Sequence, residues 1–298
     1  MYLAMDSWAD YTETLEDSES HPFIVLDRPT TTNAHTLEGP ILEPEWQTFI
    51  GVGQIPNRYA MTIGELAQLF KGEADVMDGA RYHRSDADDS YVNVSDIELV
   101  VVPMTGYDRT KTYDELFDQD AFIPTSPNIP TVDAALHYIG TGLMDGTILQ
   151  EIVPNYDEKG YTQFEYIRLP FIQDQDDMVT FLEHAADTYD FPGVVLRTEE
   201  DPQTEQTNII HLDVYNTTDY NPTYTAMALI YTAATHYPDE EIFYSEQGKR
   251  VFNKGIGNDW FSQMLEDPNR PSFQDILEDI RYEVYDFNEI REHYLLYD

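Results

Sequence analysis

Short apolar runs and helical repeats follow one another along this chain, and the spacing inside each block predicts its element. PFIVL at residues 22–26 is an unbroken apolar run ending in Asp27-Arg28-Pro29, and IELVVVPM at residues 97–104 is a second that stops at a proline. Such runs, without alternation, mark parallel strands buried on both faces. Residues 1–15 set Leu3, Trp8 and Leu15 among small and acidic residues, which suits a helix ending near DSES. Thr62 and Glu65 form the pattern of a capping box, so a helix opens there and runs through Phe70. SPNIPT at residues 126–131 is a turn leading into the helix VDAALHYIG, with Thr131 as its N-cap. Residues 72–95 are polar and acid-rich, the pattern of an exposed excursion.

Strand, helix and strand in alternation, with polar motifs where the strands end, predict an α/β layer. Two strands before residue 140 are few for a complete doubly wound sheet. Beyond Gly140 the pattern changes. IIHLDVYN at residues 209–216 reads as a strand, and YTAMALIYTAATHYP as a helix apolar on nearly every side, hence buried. Ser272 can cap a last helix that places Phe273, Ile276, Leu277, Ile280, Val284 and Phe287 at helical spacing. The expected architecture is an α/β domain over residues 1–140 and a smaller α+β domain over residues 141–298.

Composition narrows the function classes. A chain of 298 residues with 41% hydrophobic content can bury a substantial core. No apolar run approaches the ~20 residues of a membrane span. The first residues lack the basic and apolar regions of a secretory signal, and localisation stays open. The absence of cysteine excludes disulfides, thiolate metal sites and cysteine nucleophiles. Against 57 acidic residues stand 16 basic ones, five of them Lys, for a net charge of −41. Acid spread along the whole chain with Lys depleted suits a surface built for high salt, a halophilic trait; a low-pH source or an acidic lineage habit is the alternative. The same charge repels phosphates and argues against DNA, RNA and anionic membranes as partners.

The phrases HPFIVLDRPTTT, LEGPILEPEW, IPNRYAMTIGELAQLF, LVVVPMTGY and SPNIPTVDAALHYIGT, in this order, resemble the NamZ-type exo-β-N-acetylmuramidases. These are glycosidases that trim N-acetylmuramic acid from the ends of peptidoglycan fragments. The resemblance continues through IIHLDVYN, FNKGIGNDW and FNEIREHYLLYD, so it covers nearly the whole chain, entering the family pattern without its N-terminal third. It implies that residues 1–140 are the C-terminal part of a Rossmann-like parallel-sheet domain. It also implies an exo-acting glycosidase of cell wall turnover that uses no metal or nucleotide cofactor and takes a peptidoglycan-derived saccharide. The family is often exported. Its E-H-G element, with a glutamate thought to be catalytic, has no counterpart here. The resemblance therefore leaves two readings: a complete enzyme, or an inactive or half-enzyme scaffold that works with a separately encoded N-terminal half or as a homo-oligomer.

Glycoside cleavage needs a proton donor at the leaving oxygen and a second carboxylate as base or nucleophile. Residues 140–151, GTGLMDGTILQE, resemble the family's glycine-rich turn GT-x-L-F-E-G-T-N followed by S-E-G-R-G-T. Asp145 stands at the Glu of that turn and Ile148 at its Asn, while Glu151 or Glu158 matches the Glu of the second element. These three acids are the implied catalytic candidates. Thr141 lies in the same turn, whose paired glycines would let the backbone approach a sugar. Tyr59 and Ala60 stand where the family has His and Gly.

The candidate saccharide contacts each carry a plainer alternative. Asp27 and Arg28 end a predicted strand, where open α/β sheets bind ligands; the alternative is an ion pair that locks the loop. Glu38 could bond a sugar or hold a turn. Arg58 could take the carboxylate of muramic acid or form a structural salt bridge. Ser126 and Asn128 sit in a Pro-flanked turn suited to unusual backbone angles. His211 is a site residue or a satisfied core histidine, and Glu65 is already explained by the capping box. Gly51-Val52-Gly53 fails the dinucleotide fingerprint, and Asp86, Asp88 and Ser90 fail the EF-hand pattern at the positions of its Gly and Glu.

Overall fold

The computed structural model describes residues 1–15, 20–73, 94–151, 164–172, 174–201 and 205–298, with the side chains of Gln119, Gln150 and Glu151 left aside. Glu158 and nearly all of the acid-rich stretch at 72–95 lie outside the described residues. Helix α1 (Tyr2–Glu13) opens the chain and is followed by β1 (Phe23–Leu26). An antiparallel ribbon of β2 (Glu38–Ile41) and β3 (Pro56–Arg58) comes next; the sequence reading had no strand there. Gly39 makes the ribbon possible. It sits at φ +81°, and a Cβ there would lie 2.4 Å from Asn57 Oδ1. Helix α2 (Ile63–Gly72) starts at Thr62 with both halves of the expected capping box in place. β4 (Leu99–Val102) then pairs parallel with β1, joining Ile24 to Val100 and Leu26 to Val102 in register.

One face of this parallel pair packs with Met5, Met61, Leu66, Leu69 and Phe70 in a first core. Its other face is bare. Ile24, Leu26, Val100 and Val102 are 57%, 72%, 38% and 45% exposed, where the apolar runs predicted burial on both sides. Pleating puts successive side chains on opposite faces, and the helices here cover one of them.

The short helix α3 (Tyr113–Leu116) and α4 (Val132–Thr141) follow, the latter capped by Thr131 as expected. β5 (Gln150–Glu151), β6 (Tyr166–Arg168), α5 (Gln175–Thr188), β7 (Val194–Glu199) and β8 (Ile209–Val214) then build an antiparallel sheet in the order β5-β6-β8-β7. Helices α6 (Pro222–His236), α7 (Glu246–Ile256), α8 (Trp260–Glu266) and α9 (Phe273–Arg291) complete the chain. The inward residues Ile167, Ile210 and Leu212 are buried with the apolar positions of α6 in a second core, to which Leu136 of α4 also belongs. Among the described residues no helix is long and apolar enough to cross a membrane.

Two devices join the cores. α9, capped by Ser272 with Asp275, begins in the second core with Phe273, Ile276 and Ile280 and ends in the first with Phe287. The segment after it is stitched to the ends of the parallel strands. Tyr297 donates its hydroxyl to Asp27 at 2.6 Å and accepts the Met104 N–H at 2.8 Å, while the Leu296 N–H reaches Glu65 at 2.8 Å. Arg109 donates to Glu65 and to the carbonyls of Ala34, Ala60 and Tyr297, so the buried Glu65 has a charged partner as well as its capping role.

Candidate functional site

Between the two cores lies a cleft of about 710 Å³, a size suited to a small ligand. One wall is the β2–β3 ribbon with Leu42, Asn57 and Tyr59; α2 contributes Ile63, Leu66 and Phe70. The far wall comes from the second core, through Tyr138 and Gly142 at the end of α4 and residues 254–257 at the end of α7. The FNKGIG sequence shapes that end. Gly257 closes α7 in the left-handed conformation at φ +91°, its N–H bonds Asn253 O at 2.8 Å, and its carbonyl accepts the Glu43 N–H at 2.8 Å. Asn57 Nδ2 donates to Gly255 O at 3.0 Å, tying the helix end to β3. Burial raises the pKa of the Tyr59 phenol, so it presents a neutral hydroxyl.

Among the described residues, none of the site residues expected from the sequence lines this cleft. Arg58 lies between the lining residues Asn57 and Tyr59 but is buried as the partner of Glu38. The second oxygen of Glu38 accepts the N–H groups of Thr223 and Tyr224 at 3.1 and 3.2 Å, so this carboxylate caps α6 from another element. Burial raises its pKa, while Arg58 and the two N–H groups pull it down. The salt-bridge alternative is therefore the one seen for Arg58, although its Nε and Nη2 are buried with no hydrogen-bond partner.

The oxygens of Asp27 are likewise committed, to Thr62 Oγ1 at 2.7 Å, the N–H of Gly64 at 2.7 Å and Tyr297. Arg28 is exposed and makes no ion pair with Asp27, whose contact with it is the Arg28 backbone N–H at 2.9 Å. Thr141 is buried and donates back to His137 O at 3.0 Å. Asn128 and Asp145 are exposed, and the backbone of Glu151 pairs with Ile167. The glycines of the 140–151 segment serve helix packing. A Cβ on Gly140 would lie 2.2 Å from Pro222 O, and one on Gly146 would lie 2.1 Å from Gly248 O.

A second polar assembly forms on the outer face of the antiparallel sheet. His211 stacks on Tyr166 with centroids 4.5 Å apart, and its ring nitrogens face Glu165 at 3.1 Å and Glu199 at 3.2 Å. Burial pulls the His211 pKa down, but the Glu165 bond and the charges of Glu165, Glu199 and Asp213 outweigh it and raise it overall. The carboxyl of Asp133, in the first turn of α4, is pushed up by loss of water and then by Glu165 and Asp114. Beneath them the buried His137 has its pKa lowered to about 4 by desolvation, and its Nδ1 meets the Tyr220 hydroxyl at 3.4 Å. Asp133 and Glu165 were missed in the sequence because 57 acids give no contrast; Asp133 had one signal, its place just after the SPN turn, and Glu165, 46 residues from His211, had none.

The chain matches two family models in succession: exo-β-N-acetylmuramidase NamZ, N-terminal, over residues 3–133, and its C-terminal counterpart over residues 136–297. It is 32% identical over 283 residues to the peptidoglycan β-N-acetylmuramidase NamZ of Bacillus subtilis (strain 168), covering 93% of this chain. It spans 59% of the length of that relative. Two crystal structures of DUF1343 family proteins from Bacteroides fragilis NCTC 9343 share the fold, with TM-scores of 0.73 and 0.62 at 20% and 22% identity. They align with 99% and 100% of this chain and with 69% and 71% of their own.

Proposed function

The chain belongs to the exo-β-N-acetylmuramidase NamZ family, and from that premise we propose that it is a glycoside hydrolase releasing terminal β-linked N-acetylmuramic acid from peptidoglycan fragments. The observation that carries this reading is 32% identity sustained over 93% of the chain with a protein of that name. The chemistry asks for two carboxyl groups in different protonation states. Asp145, Glu151 and Glu158 remain candidates by their place in the family pattern. The sheet face adds two further acids: Asp133, whose carboxyl pKa is raised by loss of water and then by Glu165 and Asp114, and Glu165, which lies 3.1 Å from His211. Asp133 would donate the proton, Glu165 would act as base or nucleophile, and the exposed Arg28 and Asn128 would orient the sugar.

A second reading has its own observation. The bare apolar face of β1 and β4 and the 59% span of the relative suit a saccharide-binding half that works with a further α/β segment laid over that face. Release of a chromophore from a β-N-acetylmuramide, in low and multimolar salt, tests both. Turnover that falls by about a hundredfold or more in Glu165→Gln or Glu151→Gln would establish the enzyme and place one carboxylate. No turnover from a chain folded by circular dichroism would sink the lone-enzyme reading in favour of the half-enzyme.

A further inference from the structure

The ring of His211 is gripped at both edges by acids. Its Nε2 faces Glu165 Oε1 at 3.1 Å and its Nδ1 faces Glu199 Oε1 at 3.2 Å. An ionised carboxylate only accepts, and a neutral imidazole carries a single N–H. With both acids ionised, the two contacts are hydrogen bonds together only when the ring holds two protons, as an imidazolium. The Tyr166 ring stacks on it at 4.5 Å and within 16° of parallel. That face favours a cation and fixes the plane in which the two N–H groups point.

The elements around the ring agree. Asp213, also on β8, adds a third negative charge and is itself answered by Arg197 of β7 at 2.7 Å. From α4, His137 lies beneath as a neutral imidazole, its pKa lowered to about 4. The balance raises the pKa of His211 although burial opposes it. Such a set has an ordinary use: Glu165 stands just before β6, His211 on β8 and Glu199 on β7, so the ring braces three neighbouring strands. A brace asks for no charge on the ring. It does not account for a histidine made to keep its proton beside Glu165, the acid whose charge also raises Asp133.

We propose that His211 is a positioning residue: bonded to Glu199 through one ring nitrogen, it donates the other N–H to Glu165 and keeps that carboxylate ionised and in place on the sheet face. The inference rests on the proposed hydrolase, in which Glu165 is the base or nucleophile and Asp133 the proton donor. Glu199 sets the ring and the ring sets Glu165.

NMR titration of the His211 ring and of the Glu165 carboxyl in the full chain tests it, with chromophore release followed against pH in parallel. In the wild type both ring nitrogens should carry protons at about pH 6, and the ring should give one up only above the ordinary ~6.5. Glu199→Gln should let it go earlier. His211→Gln should make the Glu165 carboxyl titrate at higher pH, and His211→Arg, which keeps the charge, should restore it. Chromophore release by His211→Gln should fall about tenfold on the acid side and recover as pH rises, with KM little changed; loss of a mere brace would be independent of pH. A wild-type ring that titrates at its ordinary value overturns the proposal without recourse to any variant. So does a Glu165 titration that a folded His211→Gln protein leaves unmoved. Turnover whose acid limb is the same in His211→Gln removes the His211 assignment and leaves the glycosidase. A His211-dependent Glu165 titration without turnover keeps the assignment and removes the lone enzyme.

Discussion

In the antiparallel sheet, Ile210 and Leu212 are buried in the second core while His211 and Asp213 of the same strand point outward to polar partners. In the parallel pair, Ile24 beside Val100 and Leu26 beside Val102 also point outward, and they are apolar. An antiparallel sheet tolerates water on one face because its sequence alternates; a parallel pair written in unbroken apolar residues has no polar face to offer. The second core is thus closed on its own terms. The first depends on what reaches it from elsewhere: α9, the segment after it, and the weld of Glu38 and Arg58 onto α6.

Cutting the weld is the strongest way to test that dependence. Arg58→Met leaves Glu38 buried without its cation and should cost about 3–5 kcal/mol in urea denaturation, whereas Glu38→Gln with Arg58→Met should cost clearly less. A single-substitution cost near zero would mean that the pair joins nothing. Next comes the contrast between the sheets. Ile210→Ala should lose about 2–5 kcal/mol, and Leu26→Ser should stay within about 0.5 kcal/mol. Equal costs would show that the bare face is covered in solution.

Acid should reach the second core through His137. Its pKa is lowered to about 4 in the folded state, so the stability it contributes is present above pH ~6.5 and is lost as pH falls toward 4. The loss is on the order of 3 kcal/mol, and it should disappear from the pH profile of His137→Gln. The raised His211 has the opposite sign. Its contribution is present below pH ~6.5 and is lost as pH rises through its folded value. The smallest effect belongs to the first core. Ala60 is held at φ +50° while its carbonyl serves Arg109 and Arg291, so Ala60→Gly should raise stability by roughly 0.5 kcal/mol, read as a higher Tm.

Legibility in the sequence followed the range of the interactions. The caps at Thr62, Thr131 and Ser272 were readable because each is settled within one helical turn. The β2–β3 ribbon was not, since EGPI and PNR have no strand periodicity and pair through a bulge at Gly39. Around the cleft, the lining residues stand next in sequence to expected saccharide contacts: Asn57 and Tyr59 line it and Arg58 does not, Gly142 lines it and Thr141 does not. Which face a residue turns toward is decided by strand pairing and helix packing from distant parts of the chain, and no local pattern records it.

The bond from Tyr297 to Asp27 spans 270 residues of sequence. During synthesis the first strand leaves the ribosome long before its last partner exists. At about 5–20 residues per second, that interval is on the order of tens of seconds. Through it, Asp27 has the N-terminus of α2 to hold but not the phenol that completes its set, and Glu65 waits equally for Leu296. The seam can close only when residue 297 has emerged, so β1, which leads into Asp27, waits for the other end of the chain to be finished.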